Sequence, residues 1–177
     1  MTGQHLAPGE LGQLFAAVRR SCWRWECQRR YAVDESELRA WRDGRTLPES
    51  QADQAWEAYI RGLRAADIAF ERVRMVHEPP TEYQRWIYTT TARNVRIGED
   101  VRWLSESDCR RLEMPADDFY LIDDQRVAVL RFDRLGEMVA IDVADDSDTL
   151  ALYRTYRDRA WAVATSHHLY DPAHGEC

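Results

Sequence analysis

The stretch DFYLIDDQRVAVLRFDRLGEMVAIDV, residues 118–143, constrains the fold most. It reads as a three-stranded antiparallel meander, with Asp123-Asp124-Gln125 and Arg134-Leu135-Gly136 supplying the two turns. Downstream, Asp145, Asp146 and Ser147 offer N-caps for a helix carrying Leu150, Tyr153, Tyr156, Ala160 and Ala164. Upstream, Leu11, Leu14, Phe15, Val18, Cys22 and Trp25 recur at helical spacing and predict one long first helix. Asp34 followed by Glu37 resembles a capping box, and Gly44 closes that short helix. Pro48 opens a third helix with the stripe Trp56, Tyr59, Ile60 and Leu63.

Between these blocks lies FERVRMVHEPPTEYQRWIYTTTARNVRIGEDVRWL, residues 70–104. Its RVRMV run alternates as a half-buried strand does, and Pro79-Pro80 ends it. Residues 82–95 fit a helix or a broken strand, because Thr89, Thr90 and Thr91 weaken the helical reading. A second strand is expected over 101–104 and a short helix over 107–112. The whole is one α+β domain over residues 1–177: N-terminal helices, a mainly antiparallel sheet with the C-terminal three-stranded meander, and a closing helix. Residues 1–8 and 167–177 are expected as flexible ends.

Composition excludes several chemistries. All 24 basic residues are arginine, so there is no Schiff-base lysine, no pyridoxal phosphate anchor and no phosphate-loop lysine. A net charge of −7 argues against nucleic acid as a direct partner. Cys22, Cys27, Cys109 and Cys177 lack the paired spacing of a zinc site. There is no nucleophile elbow and no HExxH. No segment is apolar enough to span a membrane, and the first residues do not read as a signal peptide, so a reduced, cytoplasmic protein is expected. No cofactor and no metal centre is expected. His167, His168, His174, Glu176 and Cys177 gather metal-ligand types only on a tail.

The segments ERVRMVHEPPTEYQRW, NVRIGEDVRWL and DFYLIDD resemble a small actinobacterial family catalogued as domain of unknown function 6879. The likeness runs from RWECQRRY to the final helix and is most specific at Gly98-Glu99-Asp100-Val101-Arg102 and Asp118-Phe119-Tyr120. It implies no activity. Residues 118–164 are also similar in pattern to the C-terminal sensor-like domain of actinobacterial helix-turn-helix regulators, through an aromatic strand, an acidic turn, a valine-rich strand and the Tyr153-Arg154 helix. Nothing before Phe70 resembles a DNA-reading helix-turn-helix.

Arg72 and Arg74 share one strand face, and Arg102 lies on a strand that can pair with it. With Arg85 they can converge on an anion, each guanidinium offering a planar fork. The competing reading is a structural network in which Glu71, Glu78, Glu99, Asp100 and Asp118 satisfy those arginines. Tyr83, Trp86, Tyr88, Trp103, Phe119 and Tyr120 serve either as core or as pocket walls, with Tyr83 and Trp86 expected to be the exposed ones. His77-Glu78 with Asp117-Asp118 is the best acid–base set. Cys109 beside Arg110 and Arg111 is either an activated thiol or, more commonly, an inert one. The leading expectation is a non-enzymatic regulatory or adaptor protein, binding a partner protein (a transcriptional regulator among the candidates) or a small acidic ligand. Its site would comprise Arg72, Arg74, Tyr83, Arg85, Trp86, Glu99, Arg102, Trp103, Asp118 and Tyr120. The rival is a small enzyme using His77 or Asp118 as base on a carboxylate-bearing substrate.

Overall fold

The computed structural model describes residues 3–171. In chain order the elements are β1 (Gln4–Leu6), α1 (Leu11–Ala16), β2 (Ser21–Glu26), α2 (Glu35–Arg42), α3 (Gln51–Ala65), β3 (Ala69–Val76) and α4 (Glu82–Ile97). There follow β4 (Asp100–Ser105), α5 (Glu106–Arg111), β5 (Asp118–Ile122), β6 (Arg126–Phe132), β7 (Met138–Ala144), α6 (Ser147–Val163) and β8 (Thr165–Ser166). One eight-stranded sheet runs in the order β1-β7-β6-β5-β2-β3-β4-β8. The β2–β3 and β3–β4 pairings are parallel and the other five antiparallel. The two parallel pairs come from crossovers through α2 and α3 and through α4, since parallel neighbours need a long connection.

The expected first helix is broken. It ends at Ala16, and Ser21–Glu26 is a central strand instead. SCWRWE alternates with period two, placing Cys22 against one core and Trp23 and Trp25 against the other. A strand flanked on both sides suits its Trp and Cys better than a helix face does. The turn into it is held from afar: the Asp123 carboxylate accepts the backbone N–H groups of Arg19, Arg20 and Ser21 at 2.7–3.1 Å. Asp123 itself sits in the β5–β6 turn at φ 55°. Burial opposes its charge, but these donors outweigh that and hold its carboxyl below the usual value. Asp123→Ala should therefore cost about 2 kcal/mol, discounted for partial exposure and read by urea unfolding at pH 7. The difference from the parent should shrink as pH falls through the carboxylate range, where the parent loses the same contribution. A constant difference down to pH 3 would refute the assignment to charge.

Residues 82–97 are helical, and the threonines are accommodated by bonding back into the helix: Thr89 and Thr91 donate to Trp86 O and Ile87 O, each at 2.7 Å. Thr81 caps this helix by accepting Gln84 N–H. The meander and the closing helix lie where expected, the latter capped by Asp146 accepting Thr149 N–H. Gln4–Leu6 pair with β7, Thr165–Ser166 pair with β4, and His167 packs on Tyr88 and Trp103. His174, Glu176 and Cys177 lie outside the described residues.

Helices cover both faces. One core, centred on Trp23, Trp25, Phe119 and Val127, is covered by α5 and α6. The other joins Cys22, Phe70, Tyr120 and Leu130 to Leu14, Ile60, Leu63 and Ile97 of α1, α3 and α4. On that second face the apolar packing stops at the strand centres, where β2, β3 and β5 present charged side chains.

Candidate functional site

Strand alternation brings Arg24 and Glu26 of β2, Arg72 and Arg74 of β3, and Asp118 and Tyr120 of β5 onto one face. Glu26 is the hub. Its Oε1 accepts from Arg72 Nη1 at 2.8 Å and pairs with Arg24 Nε at 2.9 Å; its Oε2 accepts from Arg74 Nε at 2.5 Å. Burial by itself would raise the pKa of Glu26, but the three guanidiniums overturn this and hold it far below the carboxylate range. Arg72 Nη2 also pairs with Glu99 Oε2 at 2.9 Å, while Glu99 Oε1 accepts from Trp56 Nε1 and Asn94 Nδ2. Arg74 Nη1 donates to Thr91 Oγ1, and Arg24 Nη1 donates to the Tyr120 hydroxyl. Asp118 is wholly buried and accepts from Tyr31 OH at 2.6 Å and Cys27 N–H at 2.9 Å. Burial raises its pKa despite the nearby Arg24.

Above this face a cavity of about 600 Å³ opens between the sheet and α1–α4. That size matches small-molecule pockets, of order 300–1,000 Å³. Arg24, Glu26, Arg72, Arg74 and Tyr120 form its floor, and aromatic walls come from Phe15, Tyr31, Trp56, Tyr83, Trp86 and Phe132. Arg72 Nε is buried with no hydrogen-bond partner. A second depression of about 510 Å³, by Arg64, Asp67, Asp100 and His168, lacks such aromatic walls.

Of the residues singled out by sequence, Arg72, Arg74, Tyr83, Trp86 and Tyr120 line the cavity, and Glu99 and Asp118 sit behind it in the network. Tyr83 and Trp86 are not the exposed aromatics expected: they are buried, at 7% and 3% exposure. Arg85 points away and donates to Pro80 O from the surface. Arg102 belongs to the opposite face, its guanidinium 3.6 Å from the centre of the Trp161 ring. Period two explains the error, since Arg102 pairs in register with Val73, not with Arg72 or Arg74. Trp103 borders Arg74 from outside the cavity and stacks on Tyr170. Arg24 and Glu26 were missed. Their signal was the alternation in WRWE, masked by reading that segment as helix.

The acid–base set is not assembled. The His77 ring is bonded by Gln84 Nε2 and its pKa lowered by burial, whereas Asp118 is bonded by Tyr31 and Cys27. Burial pushes the Cys109 and Cys22 thiols up to about 12, so neither is a thiolate at neutral pH. Among the described residues no His, Cys, Asp and Glu group is arranged to hold a metal, and no helix is long and apolar enough to cross a membrane.

The family match covers residues 9–172, nearly the whole chain. The protein belongs to the family described as domain of unknown function 6879. No curated protein matches this family member in sequence. Solved structures that share its fold include NucT and TrmBL2. NucT from Helicobacter pylori superposes with a TM-score of 0.57 at 12% identity, over 93% of this chain and 98% of that one. TrmBL2, an archaeal chromatin protein whose structure shows a novel mode of DNA binding, superposes with a TM-score of 0.52 at 8% identity, over 94% of this chain. The family member spans about half of TrmBL2, 53% of its length. At these identities the likeness is one of fold.

Proposed function

We propose that the protein is a non-enzymatic ligand-binding module of regulatory type, and that its ligand is a small acidic molecule held in the cavity over Arg24, Arg72 and Arg74. The observation that carries this reading is the buried Arg72 Nε without a partner, on the floor of a 600 Å³ aromatic-walled cavity. Leaving a buried donor unsatisfied costs about 1–3 kcal/mol. On the cavity floor the guanidiniums of Arg24, Arg72 and Arg74 share the single lining carboxylate of Glu26, while Glu99 and Asp118 stand behind it. Guanidinium forks suit carboxylates, and aromatic walls suit an apolar or ring-bearing body. The absence of an assembled acid–base pair, nucleophile or metal group among the described residues sets the enzymatic reading second.

The test is a thermal-shift screen of small carboxylates, followed by calorimetry with Arg24→Ala. Arg24 is the least covered of the three arginines, its side chain 15% exposed, so its loss disturbs the fold least. At least one carboxylate should raise the melting temperature, and Arg24→Ala should weaken it by about tenfold or more, as expected for one charge-assisted bond. If no carboxylate in a broad library binds, the reading is wrong.

A further inference from the structure

The cavity is polarised from floor to mouth. Its floor holds Arg24, Arg72 and Arg74. Towards the mouth, where the exposed Val33 marks the opening, the charged side chains are mainly acidic: Asp34, Glu37, Asp53 and Glu137, with Arg93 as the cation. Arg93 is already engaged, lying 3.1 Å from Glu49, 3.5 Å from Asp53 and 3.4 Å from Glu57. Asp34 and Glu37 are left without an ion-pair partner among the described residues. Asp34 accepts only the Tyr83 hydroxyl. Burial raises the pKa of both, and for Glu37 the nearby Asp53 and Asp34 add to this. Acids without an ion pair at the mouth, above a floor of guanidiniums on which Arg72 Nε lacks a hydrogen-bond partner, are the inverse of what a simple anion site needs, since like charge at an entrance repels the ligand.

We infer that the ligand is a zwitterion, its carboxylate on the Arg24–Arg72–Arg74 floor and its ammonium at the mouth between Asp34 and Glu37. This inference rests on the carboxylate-binding reading above. The wall of Trp56, Trp86 and Phe132 then takes an apolar or aromatic body linking the two charges, with Tyr83 and Tyr31 beside the cationic end. A short peptide with aromatic side chains has this chemistry. The acids at the mouth are what separate it from an aromatic acid: a plain carboxylate satisfies the floor and leaves Asp34 and Glu37 without a direct ion-pair partner.

Calorimetry on the full chain at low ionic strength with Phe-Phe, N-acetyl-Phe-Phe and Phe-Phe-amide tests it. The free dipeptide should bind at least tenfold more tightly than either blocked form. In Asp34→Asn/Glu37→Gln, which keeps an acceptor for the Tyr83 hydroxyl, the advantage over the N-acetyl form should vanish while the advantage over the amide remains. N-acetyl-Phe-Phe binding as tightly as the free dipeptide overturns the zwitterion and leaves the simple carboxylate reading standing. The amide binding as tightly overturns both. No heat from any of the three overturns the peptide class, and the carboxylate screen then decides the broader reading on its own.

Discussion

Glu26→Gln is expected to destabilise the fold by about 3–5 kcal/mol, the cost of removing one partner from a buried ionic cluster. One carboxylate here compensates three guanidiniums, with two hydrogen bonds to Arg72 and Arg74 and an ion pair to Arg24. Glutamine fits the space but offers one acceptor in place of two and turns an amide N–H₂ towards a cation. Because domains hold only about 5–15 kcal/mol in total, the variant should sit near the edge of folding. Urea unfolding at pH 7 measures it, and a loss below about 1 kcal/mol would show that the cluster is hydrated rather than sealed. The pH dependence has a definite sign. The folded-state pKa of Glu26 lies far below the unfolded value of about 4.3, so its contribution is fully present above that value and is lost as pH falls below it. The parent should thus lose on acidification a stability increment that the variant lacks at every pH.

How much of this was legible in the sequence depends on which periodicity each segment showed. The meander was readable because its alternation is regular and its turns carry Asp and Gly at positive φ, at Asp123, Asp124 and Gly136. The closing helix was readable from its N-cap. β2 was not, because Leu11, Leu14, Phe15 and Val18 set up a helical phase that Cys22 and Trp25 happen to continue. What breaks that phase is the carboxylate of Asp123, which lies more than 100 residues away in sequence and takes the turn's backbone N–H groups. Losing β2 as a strand also lost Arg24 and Glu26 from the site and hid the parallel β2–β3 crossover. For Arg72 and Arg74 the sequence supplied the shared face but not its neighbours. Arg102 was placed with them only because β4 was read without its register against β3. The mouth acids Asp34 and Glu37 lie in a segment read solely for its capping pattern, and the Asp34 carboxylate bonds Tyr83 instead of capping α2.

Whether the arginines form a binding site or only a structural network is decided by a variant that removes the charges together. Glu26→Leu/Arg72→Met/Arg74→Leu/Glu99→Gln is expected to be as stable as the parent, or more so by about 1–4 kcal/mol, since apolar groups of similar volume often outperform a buried ionic cluster. The design leaves few groups stranded. Trp56 and Asn94 both donate to Oε1 of Glu99, an acceptor that glutamine retains, and Thr91 still donates to Ile87 O. Arg24 keeps the Tyr120 hydroxyl and Asp118. If the network served stability alone, this chain would be an improved protein with an unchanged surface. On the binding reading it loses two of the three floor cations, and carboxylate affinity should fall by about a hundredfold or more, roughly two charge-assisted bonds. Unfolding curves and calorimetry on the same preparation separate the two. A stable variant that still binds carboxylates at parental affinity would move the ligand away from this floor. A variant that is both stable and unable to bind shows that the charges are retained for recognition against a cost in stability.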